Sequence, residues 1–344
     1  MDVFTLANAR GMEVRFIAYG GAIVSIRVPD RDGKLADVTP GFDSPDDYAL
    51  DGRFFGALIG RYANRIAGAQ FMLDGRRYVL PPNEGVNQLH GGPHGFHRVT
   101  WNVRPMGTRK AAAELRHRSK DGDQGFPGTL DVRVTYDVTD DNELVVDYHA
   151  TTDVPTPVNL TQHTYFNLAG HDAGDILEHE LTLNASHFSP VDAALLPAGS
   201  MQSVAGTPFD FKTPRRIGER IDHNDEQLAV GHGYDHNFVL DRAADGELAF
   251  AARVYEPRSG RVMEIFTTEP GIQFYSGSGV NADRAGKNGV VYKRNAAFAL
   301  EPQHFPDSPN HPEFPSTILR PGDEYRSRTV YRFSSTRHPL RSEI

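Results

Sequence analysis

Alternation with a period of two dominates the chain. In LDVRVTYDV, the residues Leu130, Val132, Val134, Tyr136 and Val138 share one face, and the positions between them are mainly polar. Successive side chains of a strand point to opposite faces, so this pattern predicts a half-buried strand. ELAFAARVYEPRSGRVMEIFTTE reads as two strands joined by a turn at Pro257–Gly260. AQFMLDGRRYVLP sets Asp74-Gly75 between two alternating arms, and IVSIRVPDRDGKLADVTPGF does the same with Asp32-Gly33. Asp-Gly accepts the positive φ of a tight hairpin turn. Helical patterns are scarce. The best is SPDDYALD, where Ser44 is expected to cap a turn or two beginning at Pro45. Many short strands punctuated by Gly and Pro predict an all-β sandwich or barrel. With no linker, repeat or low-complexity tract, the simplest architecture is one large antiparallel β domain over residues 1–344.

One strand pattern is unusual. In NLTQHTYFNL, at Asn159–Leu168, the even positions Leu160, Phe166 and Leu168 suit a core. The odd positions are Asn159, Thr161, His163, Tyr165 and Asn167. All of them can hydrogen-bond and none carries a permanent charge. A solvated strand face normally collects Lys, Glu and Arg as well. This row is expected to meet something polar and uncharged, and Gln162 is expected to point to the other face.

Composition narrows the partner. The formal charge of −9 over 344 residues argues against nucleic-acid binding, which needs an electropositive face. The longest basic cluster is KTPRR at Lys212–Arg216, expected to be a solvated turn. The absence of cysteine excludes disulfides and thiolate metal sites. No apolar run is long enough for a membrane span, and MDVFTLANARGMEVRF lacks the pattern of a signal peptide. A cytoplasmic protein, acting as a monomer or homodimer, is the expectation.

Five segments break the strand pattern with polar, Gly-rich clusters. GRYANRIAGAQF offers Arg65 beside Asn64, either to an oxygen-rich ligand or to an ion pair. NQLHGGPHGFH contains His90, His94 and His97. Their spacing would suit a metal on a helix, but the intervening glycines and proline oppose one. His90 reads better as one imidazole exposed by a close turn, with no metal. GHGYDHNFVL puts Asp235 in a polar turn, as a clamp for hydroxyls or a bond to its own backbone. EPGIQFYSGSGV sets Gln273 beside Phe274 and Tyr275. AAFALEPQHFPDSPNHPEFPS closes an apolar strand with Glu301, and Pro302 stiffens its backbone. Such a carboxylate suits a general base or a charged strand edge. The Pro- and His-rich run after it is a long loop of the kind that often covers a site. Phosphate-loop, nucleophile-elbow and zinc-protease motifs are missing. Neutral polar rows, aromatics, one Arg and two carboxylates point to a carbohydrate.

Together these segments resemble the aldose 1-epimerases, also called galactose mutarotases. The resemblance rests on Asn64-Arg65-Ile66, Leu89–Gly92, Thr161–Leu168, Gly206–Phe211, Gly233–Asn237, Gln273–Tyr275 and Leu300–Gln303, in that order along the chain. It implies a galactose mutarotase-like supersandwich, a single large antiparallel β-sandwich with an open sugar cleft, and no cofactor. It implies interconversion of the α and β anomers of a free aldose such as glucose or galactose. Glu301 would be the general base and His163 the general acid. Asn64, Arg65, His90, Tyr165, Asp235 and Gln273 would contact the sugar. The family's usual residue before the acid is Asn, and this chain has Gln162. A retaining glycosidase using Asp235 and Glu301, a non-catalytic sugar-binding module and a relative acting on phosphorylated sugars are the competing readings. The first needs two carboxyls about 5–5.5 Å apart.

Overall fold

A computed structural model describes residues 2–106, 111–281 and 284–337. Antiparallel sheets account for most of its regular structure, and the largest have nine and six strands. Leu130–Val138 lies inside the nine-stranded sheet, with its alternate apolar residues buried as the pattern predicts. Ala249–Tyr255 and Arg261–Thr267 pair across the expected turn. Gln70–Leu73 pairs with Arg76–Val79, and Asp74 and Gly75 turn the chain with φ of 49° and 77°.

The predicted helix is one turn, Asp47–Leu50, and Asp46 rather than Ser44 holds the N-cap position. Ser44 instead accepts the Asp46 N–H. A helix at Glu226–Gly231 has no counterpart in the sequence reading. Its length gives little room for periodicity, although Asp225 caps it by accepting from the Gln227 and Leu228 N–H groups.

The nine- and six-stranded sheets pack face to face. Val132, Val134, Tyr331 and Phe333 of the first share one core with Phe166, Ile272, Phe274, Phe298 and Leu300 of the second. The Phe166 ring lies 5.7 Å from Tyr331 and 6.3 Å from Phe333. Truncating such a buried ring to Ala typically costs about 3–5 kcal/mol.

The six-stranded sheet is covered on both faces. Its strand Phe298–Gln303 is buried at every position. Phe298 and Leu300 point to the core, so Ala299, Glu301 and Gln303 face the other way. The polar row of Asn159–Asn167 contributes two short strands to different sheets, Thr161–His163 to a two-stranded sheet and Tyr165–Phe166 to the edge of the six-stranded one. Thr161–His163 pairs with Ala57–Ile59, and Tyr165–Phe166 pairs with Phe298–Ala299. Among the described residues no helix is long and apolar enough to cross a membrane.

Candidate active site

Register brings the carboxylates together. Gln273 lies directly opposite Glu301 on one side and Asn237 on the other. Asp235 is two residues from Asn237 on the same face, a diagonal neighbour of Gln273. The Gln273 side chain donates to Asp235 Oδ1 at 2.7 Å. Tyr165 sits opposite Ala299 in the neighbouring strand, diagonal to Glu301. Asp235 therefore opens a strand and is not confined to a turn bonding its own backbone.

His163 comes from the strand that turns above this sheet. Its carbonyl accepts the Gly56 N–H at 3.0 Å. Its ring lies between Tyr165 (4.9 Å) and Phe54 (5.8 Å), and edge-on to His90 at 5.1 Å. His163 Nε2 is 3.5 Å from Glu301 Oε2, and both side chains are nearly inaccessible to solvent. Gln162 points to the opposite side, where it bonds the Gly56 carbonyl and the Thr164 hydroxyl.

The polar row divides here. Only His163 and Tyr165 reach the cleft. Asn159 bonds the Ala63 and His304 carbonyls, Thr161 bonds the Pro302 carbonyl, and Asn167 bonds the Gly174 and Ala296 carbonyls. The expectation that the whole row forms a ligand-facing surface is corrected: three of its members satisfy buried backbone acceptors instead.

Asn64 and Arg65 enter from the opposite wall. Arg65 pairs with Leu89 in a two-residue ladder, and the Asn64 carbonyl accepts the His90 N–H at 3.0 Å. Gly91 follows with φ of 81°, and a Cβ there would meet the Gly60 carbonyl oxygen at 1.9 Å. The tight turn that delivers His90 therefore requires glycine. His90 is buried, not exposed as the turn reading expected. Arg65 is an ion-pair residue as well as a cleft residue, since Nε and Nη2 grip Glu84 at 2.6 and 2.8 Å.

The candidates converge. Asn64, Arg65, His90, His163, Tyr165, Asp235, Gln273 and Glu301 all line one cavity of about 200 Å³. Gly52, Arg53, Phe54, Leu89, Tyr275 and Gly279 complete its wall. Phe54 was not anticipated; it lies in an irregular loop where periodicity carries no signal. His94 and His97 are not part of the lining. Nor is the Pro- and His-rich loop, which packs beneath the Arg65 segment: the Asp307 N–H donates to the Arg65 carbonyl at 2.8 Å.

Burial controls the electrostatics. It raises the Glu301 carboxyl well above the usual range; Asp235 adds to this and Arg65 opposes it. Burial also lowers His163 to about 4. Asp235 is raised by burial despite the nearby Arg65 and the Gln273 hydrogen bond. His90 is pushed well below its ordinary value by burial, with His163 and Arg65 adding to it.

His90, His163 and Glu301 place one potential ligand atom each within 4.8 Å of one another. The donor chemistry does not favour a cation. His90 Nδ1 accepts the Asn64 N–H at 3.1 Å, so the neutral ring carries its proton on Nε2. His90 thus presents a hydrogen-bond donor to the cleft rather than a metal-binding lone pair.

The aldose 1-epimerase family model matches residues 2–332. The chain is 43% identical over 323 residues to galactose mutarotase of Rattus norvegicus, covering 94% of this chain and 91% of that protein. It is 42% identical over 333 residues to aldose 1-epimerase of Escherichia coli (strain K12), covering 96% and 94%. Its structure is similar to that of an aldose epimerase homologue from C. elegans, with TM-score 0.89, 32% identity and coverage of 97% and 99%. A galactose 1-epimerase from Lactobacillus acidophilus gives TM-score 0.84 and 28% identity, covering 96% of this chain and 93% of that one. A polar cleft built on a doubly covered β-sheet and this full-length likeness lead to the same assignment: the chain belongs to the aldose 1-epimerase family.

Proposed function

We propose that the protein interconverts the α and β anomers of free aldoses, with Glu301 as general base and His163 as general acid. The observation that carries this reading is the approach of His163 Nε2 to Glu301 Oε2, 3.5 Å apart inside a polar cavity of about 200 Å³. In a cyclic aldose the anomeric hydroxyl O1 and the ring oxygen O5 are bonded to the same carbon, C1. An acid and a base that act on both oxygens must therefore converge, as these two side chains do. The cavity is below the roughly 300–1,000 Å³ of a drug-sized pocket and suits a single sugar ring.

Glu301 carboxylate removes the O1 proton, O1 forms a double bond to C1, and the C1–O5 bond breaks. O5 takes a proton from the His163 imidazolium. Rotation about C1–C2 then presents the other face of the aldehyde. His163 takes the O5 proton back as O5 attacks, and Glu301 returns its proton to O1. No proton is gained or lost overall. Burial raises Glu301 and lowers His163, which makes the carboxylate a stronger base and the imidazolium a stronger acid than either would be in water. The neutral His90 Nε2–H and the Arg65 guanidinium are donors for oxygens on which charge develops. Asn64, Tyr165, Asp235 and Gln273 hold the remaining hydroxyls.

The retaining-glycosidase reading receives less support. The group facing Glu301 is an imidazole, and the Asp235 carboxylate is engaged by Gln273. Polarimetry of freshly dissolved α-D-glucose and α-D-galactose tests the proposal. Catalysed approach to the equilibrium rotation is expected for at least one of them. No acceleration for any common aldose would sink it, and steady nitrophenol release from nitrophenyl glycosides would favour the rival.

A further inference from the structure

Behind the cleft lies a buried polar network that none of the proposed chemistry uses. Its centre is Asn159, which is fully buried. The side-chain amide donates to the Ala63 carbonyl at 3.2 Å and to the His304 carbonyl at 3.3 Å. Its oxygen accepts the His304 N–H at 3.0 Å. The Asn159 backbone adds bonds to the first segment: Ala63 N–H donates to its carbonyl at 2.8 Å, and its own N–H donates to Arg61 at 3.0 Å. Ala63 immediately precedes Asn64 and Arg65. His304 follows Glu301 on the chain that leaves its strand. Asn159 itself leads into the strand that ends at His163.

A second tier fixes His304. Its Nδ1 pairs with Glu269 Oε2 at 2.6 Å, and the Tyr325 hydroxyl donates to Glu269 Oε1 at 3.1 Å. The Tyr325 oxygen accepts the Leu160 N–H at 3.3 Å, closing the circuit next to Asn159. Burial raises Glu269, but His304 and its hydrogen bonds outweigh it and leave the carboxyl lowered. His304 is correspondingly raised, with Glu269 overcoming the cost of burial. Both directions describe an ion pair. Glu269 also begins the segment that becomes strand Gly271–Tyr275, which carries Gln273. A crosslink at 2.7 Å from the Thr161 hydroxyl to the Pro302 carbonyl ties the His163 and Glu301 strands directly.

Five separate segments therefore meet in one network, and all but the strand of Tyr325 carry a cleft residue. Neither Asn159, Glu269, His304 nor Tyr325 lines the cavity. A buried ion pair is weak evidence for stability, because desolvation offsets most of its attraction. It does demand one geometry, because every member must keep its partner. We propose that Asn159 and the Glu269–His304 pair are positioning residues that set the separation of His163 from Glu301. The inference rests on the acid and base roles given above. A misplacement of about 1 Å at reacting groups can cost about 10²-fold in rate.

The test compares wild type with Glu269→Gln, Glu269→Asp and Tyr325→Phe by polarimetry over a range of aldose concentrations, with thermal unfolding in parallel. Glu269→Gln is expected to lower kcat by about tenfold or more while KM stays within about threefold. Glu269→Asp, which keeps the charge, is expected to recover part of the loss. If Glu269→Gln does not fold, Tyr325→Phe decides; it leaves the ion pair intact and is expected to lower kcat severalfold at nearly unchanged KM. Unchanged kcat in a folded variant overturns the inference. So does a loss of activity that only follows the loss of folded protein, without rescue by Asp. A wild-type protein that fails to hasten mutarotation refutes the acid and base reading itself, whereas an active wild type with unmoved variants refutes only the positioning role.

Discussion

The two large sheets treat polar residues in opposite ways. On the outer face of the nine-stranded sheet, charged side chains pair in solvent: Arg118 with Asp131, and Arg328 with Asp147. There the Arg118 hydrogen bond lowers the Asp131 carboxyl. On the covered face of the six-stranded sheet, burial instead raises Glu301 and Asp235. A carboxylate with a good partner in water is a weak base and remains ionised. Removed from water beside an imidazole, it can take a proton and return it. The difference lies in the second layer that covers the six-stranded sheet, not in the residue type.

Substitutions on the two faces should differ by orders of magnitude. Glu301→Gln and His163→Ala are each expected to reduce mutarotation about 10²–10⁴-fold with folding retained, as measured by polarimetry and circular dichroism. Near-wild-type rates in either variant would remove that residue from the mechanism. Asp235→Asn converts a charge-assisted contact into a neutral one and should lower kcat/KM by about tenfold or more, read from a substrate titration.

Buried histidines should dominate the response to acid. Burial holds His163, His179 and His236 down at about 4, 4 and 3, and His97 at about 3. An unfolded histidine takes up its proton near 6.5. Below about pH 6.5 the unfolded chain binds more protons than the folded one, so stability falls progressively towards pH 4. Glu301 and Asp235, being raised, oppose this over part of the range, and so does His304. Asp131 contributes only closer to pH 4, where an unfolded aspartate titrates. Thermal unfolding at about pH 7.5 and about pH 5 is expected to show the lower Tm at pH 5; a flat profile would contradict the balance drawn here.

The smallest effect belongs to the outer face. A double-mutant cycle on Arg328 and Asp147, which are 51% and 37% exposed, should give a coupling below about 1 kcal/mol and leave kcat unchanged. A larger coupling would show that this face is less solvated than its exposure implies.

The contrast also explains what the sequence made legible. Leu130–Val138 was readable because one face meets water and the other meets core, so the letters alternate. Phe298–Gln303 lacks that alternation because both its faces are covered. Its Glu301 read as either a general base or a charged strand edge, and a resemblance spread over several segments singled out the first. Six of the seven segments do converge on one cavity, whereas Gly206–Phe211 sends Phe209 and Phe211 into the core. What stayed hidden depends on pairing across long separations. Glu84 grips Arg65 from 19 residues away, and Glu269 meets His304 from 35 away. Phe54 is reached by an irregular loop with φ of 60°. Asn159 and Asn167 looked like ligand-facing amides because local pattern cannot distinguish a cleft from a buried backbone acceptor.

The direct approach of His163 to Glu301 bears on how the enzyme recovers between encounters. An open-chain sugar that escaped before reclosing would leave the proton on Glu301 and the imidazole without one. At 3.5 Å the two side chains are close enough to redistribute that proton between themselves. Readiness for the next sugar would then need neither a water chain nor a buffer molecule, and the rate should be indifferent to buffer concentration at constant pH and ionic strength.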